Sequence, residues 1–367
     1  MSDKKLRVGL IGTGMICNIA HMPAWRAMPE DVEVVAAADI VASHARGTAE
    51  AHGIPYWTDD PQQMLDTQDL DIVSVCAPNS YHKPWTLAAL KAGAHVLCEK
   101  PVATGYQDAA EMFAAAEKAG RQLLVGQCLR FRSENQAAKS FIASGLLGDT
   151  YYAEAGAMRR RGVPEWGLFH MKEHSGGGPI FDIGVHALDL VLWLIGSPRV
   201  VAVSGATYTR IANQDEGLVK SLADSGAPDG VPEARPYDYR EFDVEDLGVG
   251  MLRLENGMTI VIRASWAANI PEGTGNTFIL GTKAGLALNP VRLLGTVGRY
   301  QADIAPHIPG RDEPFATGHI REAAHLVRAI RGEEELMVKK DEVLNVIHAL
   351  EGLYRSAERN EEIQLDW

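Results

Sequence analysis

Positive charge is the scarcer sign in this chain: 35 Lys and Arg stand against 48 Asp and Glu, a formal net charge of -13. A surface of that sign repels phosphate backbones and anionic lipid, which sets nucleic-acid and membrane-surface roles aside. Long apolar runs are missing too, and none approaches the roughly 18 residues of a bilayer-spanning helix. The opening Met1-Ser2-Asp3-Lys4-Lys5 leads into a short strand without a signal-cleavage pattern. Cysteine is sparse, with Cys17, Cys76, Cys98 and Cys128 widely spaced and no CxxC pair. That speaks against a disulfide framework and reads as buried, reduced thiols in a cytoplasmic protein. Internal repeats are absent. What is present is 46% apolar residues in a chain of 367, enough for two domains with cores of their own.

The first part alternates apolar strands with amphipathic helices. Residues 7–11, 32–38, 71–76, 95–98 and 123–126 read as buried strands. Residues 81–92 and 106–119 read as helices closed by Gly93 and Gly120. This alternation predicts a parallel sheet with helices on both faces, a Rossmann-type α/β domain over 1–128. Residues 129–367 read as an α+β domain with a large, mostly antiparallel open sheet. It has helices at 133–144, 179–195, 317–331 and 340–358, a hairpin turning at Asn256-Gly257, and a second turning at Lys283-Ala284-Gly285. Residues 211–246 hold ten acids and three bases, -7 of the total charge, and read as an acidic surface insertion, a lid or an oligomer contact.

The turn Gly12-Thr13-Gly14-Met15-Ile16-Cys17 follows the first strand directly. Gly12 suits a tight turn, and Gly14 lets backbone approach a pyrophosphate at a helix N-terminus. Cys17 stands where the fingerprint has its third glycine. Asp39, with Ile40 after it, ends the second strand, where a carboxylate accepts hydrogen bonds from ribose hydroxyls and repels a 2′-phosphate. NAD is therefore expected over NADP.

Two further segments carry polar groups in apolar settings. Glu99-Lys100-Pro101 lies at the carboxyl end of a strand, and Asp182 and His186 share one face of an apolar helix, with Asp189 one turn on. Alcohol oxidation needs a base for the hydroxyl proton, and His186 is of the right type. Lys100 suits the developing alkoxide. Asp182 could orient a hydroxyl or, with Lys100, relay the proton, so the immediate base stays open. Arg160 and Trp166 are candidate substrate contacts, and Gln127 a candidate nicotinamide contact. His170 and His174 stand four apart, but no acid or cysteine completes a familiar ligand set, and no metal is expected. His307, in a loop over 300–316, and His319 read as surface residues.

Gly12-Thr13-Gly14, Glu99-Lys100-Pro101 and the run Gly176-Gly177-Gly178-Pro179-Ile180-Phe181-Asp182-Ile183-Gly184-Val185-His186 together closely resemble the Gfo/Idh/MocA oxidoreductases, the glucose–fructose oxidoreductase and inositol dehydrogenase group. The resemblance implies catalytic positions at Lys100, Asp182 and His186. It also implies cofactor contacts from the loop Ala77, Pro78, Asn79 and His82, and a homodimer or homotetramer built through the second sheet. The expected function is NAD-dependent hydride transfer at a secondary hydroxyl of a sugar, glycoside or inositol. Two alternatives stand beside it: a redox-neutral epimerase or glycoside-cleaving enzyme with tightly held NAD, and a non-catalytic nucleotide-binding sensor.

Overall fold

The computed structural model describes residues 4–215, 235–271 and 274–367. Strands β1 (Leu6–Ile11), β2 (Val32–Ala38), β3 (Tyr56–Thr58), β4 (Ile72–Val75), β5 (His95–Cys98) and β6 (Leu123–Val125) form one all-parallel sheet in the order β3-β2-β1-β4-β5-β6. Every residue of β4 and β6 is buried, as helices on both faces of a sheet require, and so these strands read as unbroken apolar runs. The connecting helices are α1 (Met22–Arg26), α2 (Ala42–His52), α3 (Pro61–Thr67), α4 (His82–Lys91) and α5 (Tyr106–Ala119). The Asp60 carboxylate caps α3 by accepting from the amides of Gln62 and Gln63.

The chain then runs through α6 (Ser133–Ala143), β7 (Thr150–Met158), α7 (Lys172–Ser175) and α8 (Val185–Leu194). Strands β8 (Val200–Tyr208), β9 (Leu247–Leu254), β10 (Thr259–Ser265), β11 (Phe278–Gly281), β12 (Gly285–Ala287), β13 (Arg292–Val297) and β14 (Tyr300–Ile304) follow. Helices α9 (Thr317–Ile330) and α10 (Lys340–Arg359) and the short β15 (Ile363–Gln364) complete the described elements. The second sheet has the order β14-β13-β12-β11-β7-β10-β9-β8-β15 and is antiparallel except where β7 pairs with β10. The two expected hairpins are β9–β10 and β11–β12.

Three readings need correction. The segment expected as one helix over 179–195 opens as a π-helical turn, Ile180–Gly184, before α8 begins. Residues 300–304, expected in a loop, are a strand paired to β13. The helical run Lys172–Leu194 is long and apolar enough to cross a membrane, contrary to the sequence reading, but 83% of its apolar window is buried inside the fold. It is the core helix of the second sheet: Ile180, Phe181, Val185, Leu188 and Val191 share a core with Ala153, Ile260, Ile262 and Ala264. The parallel sheet has a separate core, and α9 returns to it through Ala323, Leu326 and Val327.

Candidate active site

At the end of β1 the backbone turns through Gly12 at φ +84°, and a Cβ there would sit 2.6 Å from the Ala77 amide nitrogen. Only glycine fits this turn. A Cβ on Gly14, by contrast, would meet no atom within 4 Å, so the backbone there faces open space. Asp39 is fixed beside the turn. Its Oδ2 accepts from the Thr13 amide at 2.7 Å and its Oδ1 from the Val41 amide at 2.9 Å. Ile40 is 75% exposed next to it, while Met15 and Ile16 are half-buried. An open backbone, a fixed carboxylate and an exposed apolar side chain fit the pyrophosphate, ribose and adenine of a dinucleotide. Cys17 fills the third fingerprint position as a fully buried free thiol.

Lys100 follows β5, and its Nζ donates to the Asp182 carbonyl at 2.9 Å and to Asp182 Oδ1 at 3.1 Å. Trp266 Nε1 donates to the other carboxylate oxygen at 2.9 Å. Burial pushes the Asp182 carboxyl up, but the charges of Lys100 and Arg159 and the indole bond outweigh it and leave its pKa below the ordinary value. His186 lies one turn along the same helix. Burial first, then the Lys100 charge, lowers its pKa to about 3, so the ring is neutral, and its Nδ1 meets no partner among the described residues. Behind Lys100, Glu99 Oε1 is 3.0 Å from His21 Nε2, and its Oε2 accepts from the Lys100 amide at 3.0 Å. Burial raises the Glu99 carboxyl, yet the His21 bond and nearby positive charge hold it below its usual range. Gln127 is buried at the end of β6, with Oε1 unpartnered among the described residues.

Lys100, Asp182 and His186 are thus brought together, and the turn with Asp39 forms a second group. The other sequence candidates flank these two groups or lie apart from them. His82 is buried with one ring nitrogen 2.7 Å from the Pro101 carbonyl and the other 2.8 Å from that of Ala77. Burial lowers its pKa, and the neutral ring has one N–H to donate to one of these two carbonyls at the ends of β4 and β5. Asn79 donates to the Ser175 carbonyl at 2.8 Å; Ala77 is half-buried and Pro78 exposed beside it. Arg160 is exposed, and its neighbour Arg159 carries the charge felt by Asp182. Trp166 is buried against Phe169, with Nε1 unpartnered among the described residues. His170 packs on Tyr237 and His174 on Tyr81, and among the described residues no three His, Cys, Asp or Glu side chains are placed to hold a metal.

His319 is buried rather than exposed, its ring 6.4 Å from that of His21. Asp189 pairs with the buried Arg130 guanidinium at 2.6 and 2.9 Å, a structural contact. Of the acidic segment 211–246, residues 216–234 lie outside the described residues, while Ala212, Phe242, Val244, Glu245 and Asp246 are buried and so are not surface loop. Sequence reasoning missed Trp266, His21 and Glu245, which reach the site from distant elements and share no spacing with its motifs.

Residues 6–127 match the family model described as oxidoreductase family, NAD-binding Rossmann fold, and residues 135–287 match the GFO/IDH/MocA C-terminal domain. The chain is 33% identical over 367 residues to a D-glucoside 3-dehydrogenase of Escherichia coli, covering 100% of this chain and 99% of that protein. A solved aldose-aldose oxidoreductase of Caulobacter crescentus, complexed with glycerol, is 26% identical with a TM-score of 0.77, covering 99% of this chain and 100% of its own. A solved levoglucosan dehydrogenase in complex with NADH shares the fold, at 21% identity and a TM-score of 0.81, again covering 99% and 100%.

Proposed function

Because the chain belongs to the Gfo/Idh/MocA oxidoreductases, whose first domain binds NAD, we propose that it transfers hydride between NAD and a secondary hydroxyl of a sugar, glycoside or inositol. The observation that carries this reading is the Lys100–Asp182 pair at the carboxyl end of β5, where ligands of open α/β sheets bind. A bound nicotinamide would supply the hydride acceptor. Gly12, Thr13, Gly14, Met15, Ile16, Asp39 and Ile40 would hold the dinucleotide, with Gln127 and Glu99 as further contacts. Asp39 supports NAD over NADP, since a fixed carboxylate repels a 2′-phosphate.

An ammonium has three N–H groups, and Lys100 directs two of them to Asp182, leaving one for the substrate oxygen. Lys100 hands one proton to the Asp182 carboxylate and takes the substrate hydroxyl proton in its place, while the carbinol carbon gives up hydride and becomes a carbonyl carbon. Neutral His186, half-buried beside this pair, is a further contact for the same substrate. Trp166 and Arg159 line the approach, in place of the exposed Arg160. The Escherichia coli relative supports a glycoside as substrate. Tyr151, Tyr208, Val297, Tyr300 and Ile304, exposed on strands of the nine-stranded sheet, support homo-oligomerisation through it. The four buried free thiols support a reducing compartment such as the cytoplasm.

Purified protein incubated with NAD or NADP and a panel of glycosides, free sugars and inositols is expected to accumulate NADH, and Lys100→Met to abolish it. Folded protein that reduces neither coenzyme over the panel would overturn the reading. The relative named as an aldose-aldose oxidoreductase supports a second, redox-neutral reading, which the same assay recognises as sugar turnover without NADH.

A further inference from the structure

The far end of the acidic segment reaches Asp182 by two routes. Glu245 Oε2 accepts from the Gly178 amide at 2.9 Å, and its Oε1 accepts from the Ile180 amide at 3.1 Å and the Tyr354 hydroxyl at 2.7 Å. The Gly178 carbonyl in turn accepts from the Asp182 amide at 3.1 Å. Glu245 therefore holds the first turn of the helix that carries Asp182.

Asp246, the next residue, works from the other side. Its carbonyl accepts from the Trp266 amide at 3.0 Å, and the Trp266 indole donates to Asp182 Oδ2. Its own carboxylate Oδ2 accepts from the amides of Arg210, Ile211 and Ala212 at 2.7, 2.6 and 3.0 Å, which pins the two ends of the segment together. Both acids are at most 5% exposed. Their bonds are then made away from water, where a carboxylate facing fixed amides stays where it is put.

We propose that Glu245 and Asp246 form a positioning device for Asp182, Glu245 acting through the helix N-terminus and Asp246 through Trp266, so that the carboxylate meets Lys100 in one orientation. The proposal rests on the reading of Lys100 and Asp182 as the proton-handling pair. Asp182 spends Oδ1 on Lys100 and Oδ2 on Trp266, so rotation or displacement of its turn loses one bond or the other. Displacements on the order of 1 Å in such a group cost up to about a hundredfold in rate. The acidic segment is thereby tied to the chemistry at its base, through residues that no motif marks.

Glu245→Gln tests this, because one face of the new amide presents N–H against the N–H of Gly178 or Ile180. Turnover is expected to fall about tenfold or more, with the dissociation constant for NAD, read by protein fluorescence, within about twofold of the unaltered enzyme. The indole N–H resonance of Trp266 in tryptophan-labelled protein, assigned by its loss in Trp266→Phe, is expected to move. Tyr354→Phe, which keeps the carboxylate and removes one donor to it, is expected to shift both readouts the same way by less, and it decides the matter if Glu245→Gln does not fold. An unmoved resonance with unchanged turnover, while Asp182→Asn still abolishes activity, overturns the positioning role. Full activity of Asp182→Asn instead overturns the reading of the site, and the positioning role with it.

Discussion

Glu322 is a carboxyl that the fold gives no water and little company. It sits on α9, 1% exposed, with Oε1 unpartnered among the described residues. Burial first, then the negative charges of Glu99 and Asp189, raise its pKa well above the ordinary value, against the pull of Arg130. Between the unfolded and folded pKa values the native state keeps a proton that the unfolded chain releases. Stability from this group therefore falls as pH rises, by about 1.4 kcal/mol per pH unit. Glu322→Gln removes the ionisation while keeping a donor, so its melting temperature is expected to gain on the unaltered protein from pH 5 to pH 8. A difference that does not change with pH would mean that Glu322 is charged in the fold.

Single residues also show how legibility in the sequence depends on distance along the chain. Gly12, Gly14 and Asp39 were readable because one turn and the next strand end place them together, as were Lys100, Asp182 and His186 within their short motifs. Trp266 and Glu322 were not, since each acquires its role only when elements far apart in the chain meet. His319 and Glu322 are polar residues of an amphipathic helix, and nothing local says that this face is inside.

Two glycines illustrate the same point for elements. A Cβ on Gly178, at the head of the π-helical turn, would overlap the Glu245 backbone carbonyl, which cannot swing aside. Gly178→Ala is expected to cost about 1–3 kcal/mol as overpacking, or more, seen as an earlier denaturant midpoint. Gly14→Ala meets nothing within 4 Å and should leave that midpoint in place while weakening NAD binding in a fluorescence titration. The opposite pattern would reverse the two assignments. At this scale the buried strands β1, β2, β4, β5 and β6 were legible as continuous apolar runs. Strands β13 and β14 were not, because their residues are exposed or only half-buried and the apolar signal fails. Strand β3 has three residues, too few to show a period.

For the molecule as a whole, one side chain joins three regions. Arg130, fully buried after β6, pairs with Asp189 on α8 and with Glu342 on α10. Burial raises the Asp189 carboxyl, and Arg130 pulls it back. Removing the guanidinium leaves a buried carboxylate unpaired, so Arg130→Met is expected to lose about 3–5 kcal/mol in denaturant unfolding, and Arg130→Met with Asp189→Leu to regain much of it. A loss below about 1 kcal/mol, the size of an exposed pair, would show the contact to be incidental. The two-sheet plan was legible from the alternation of elements. The return of α9 to the first core was not, since an amphipathic helix does not announce which sheet it will cover.

That return sets the order of synthesis against the order of completion. Strands β1 to β6 leave the ribosome long before Ala323, Leu326 and Val327, the α9 residues that share their core. Until those arrive, the apolar surface awaiting α9 has no cover, and the buried Glu99 and His21 have no His319 beside them. The part of the chain that is begun first is closed late, after strands β7 to β14 of the second sheet have been made.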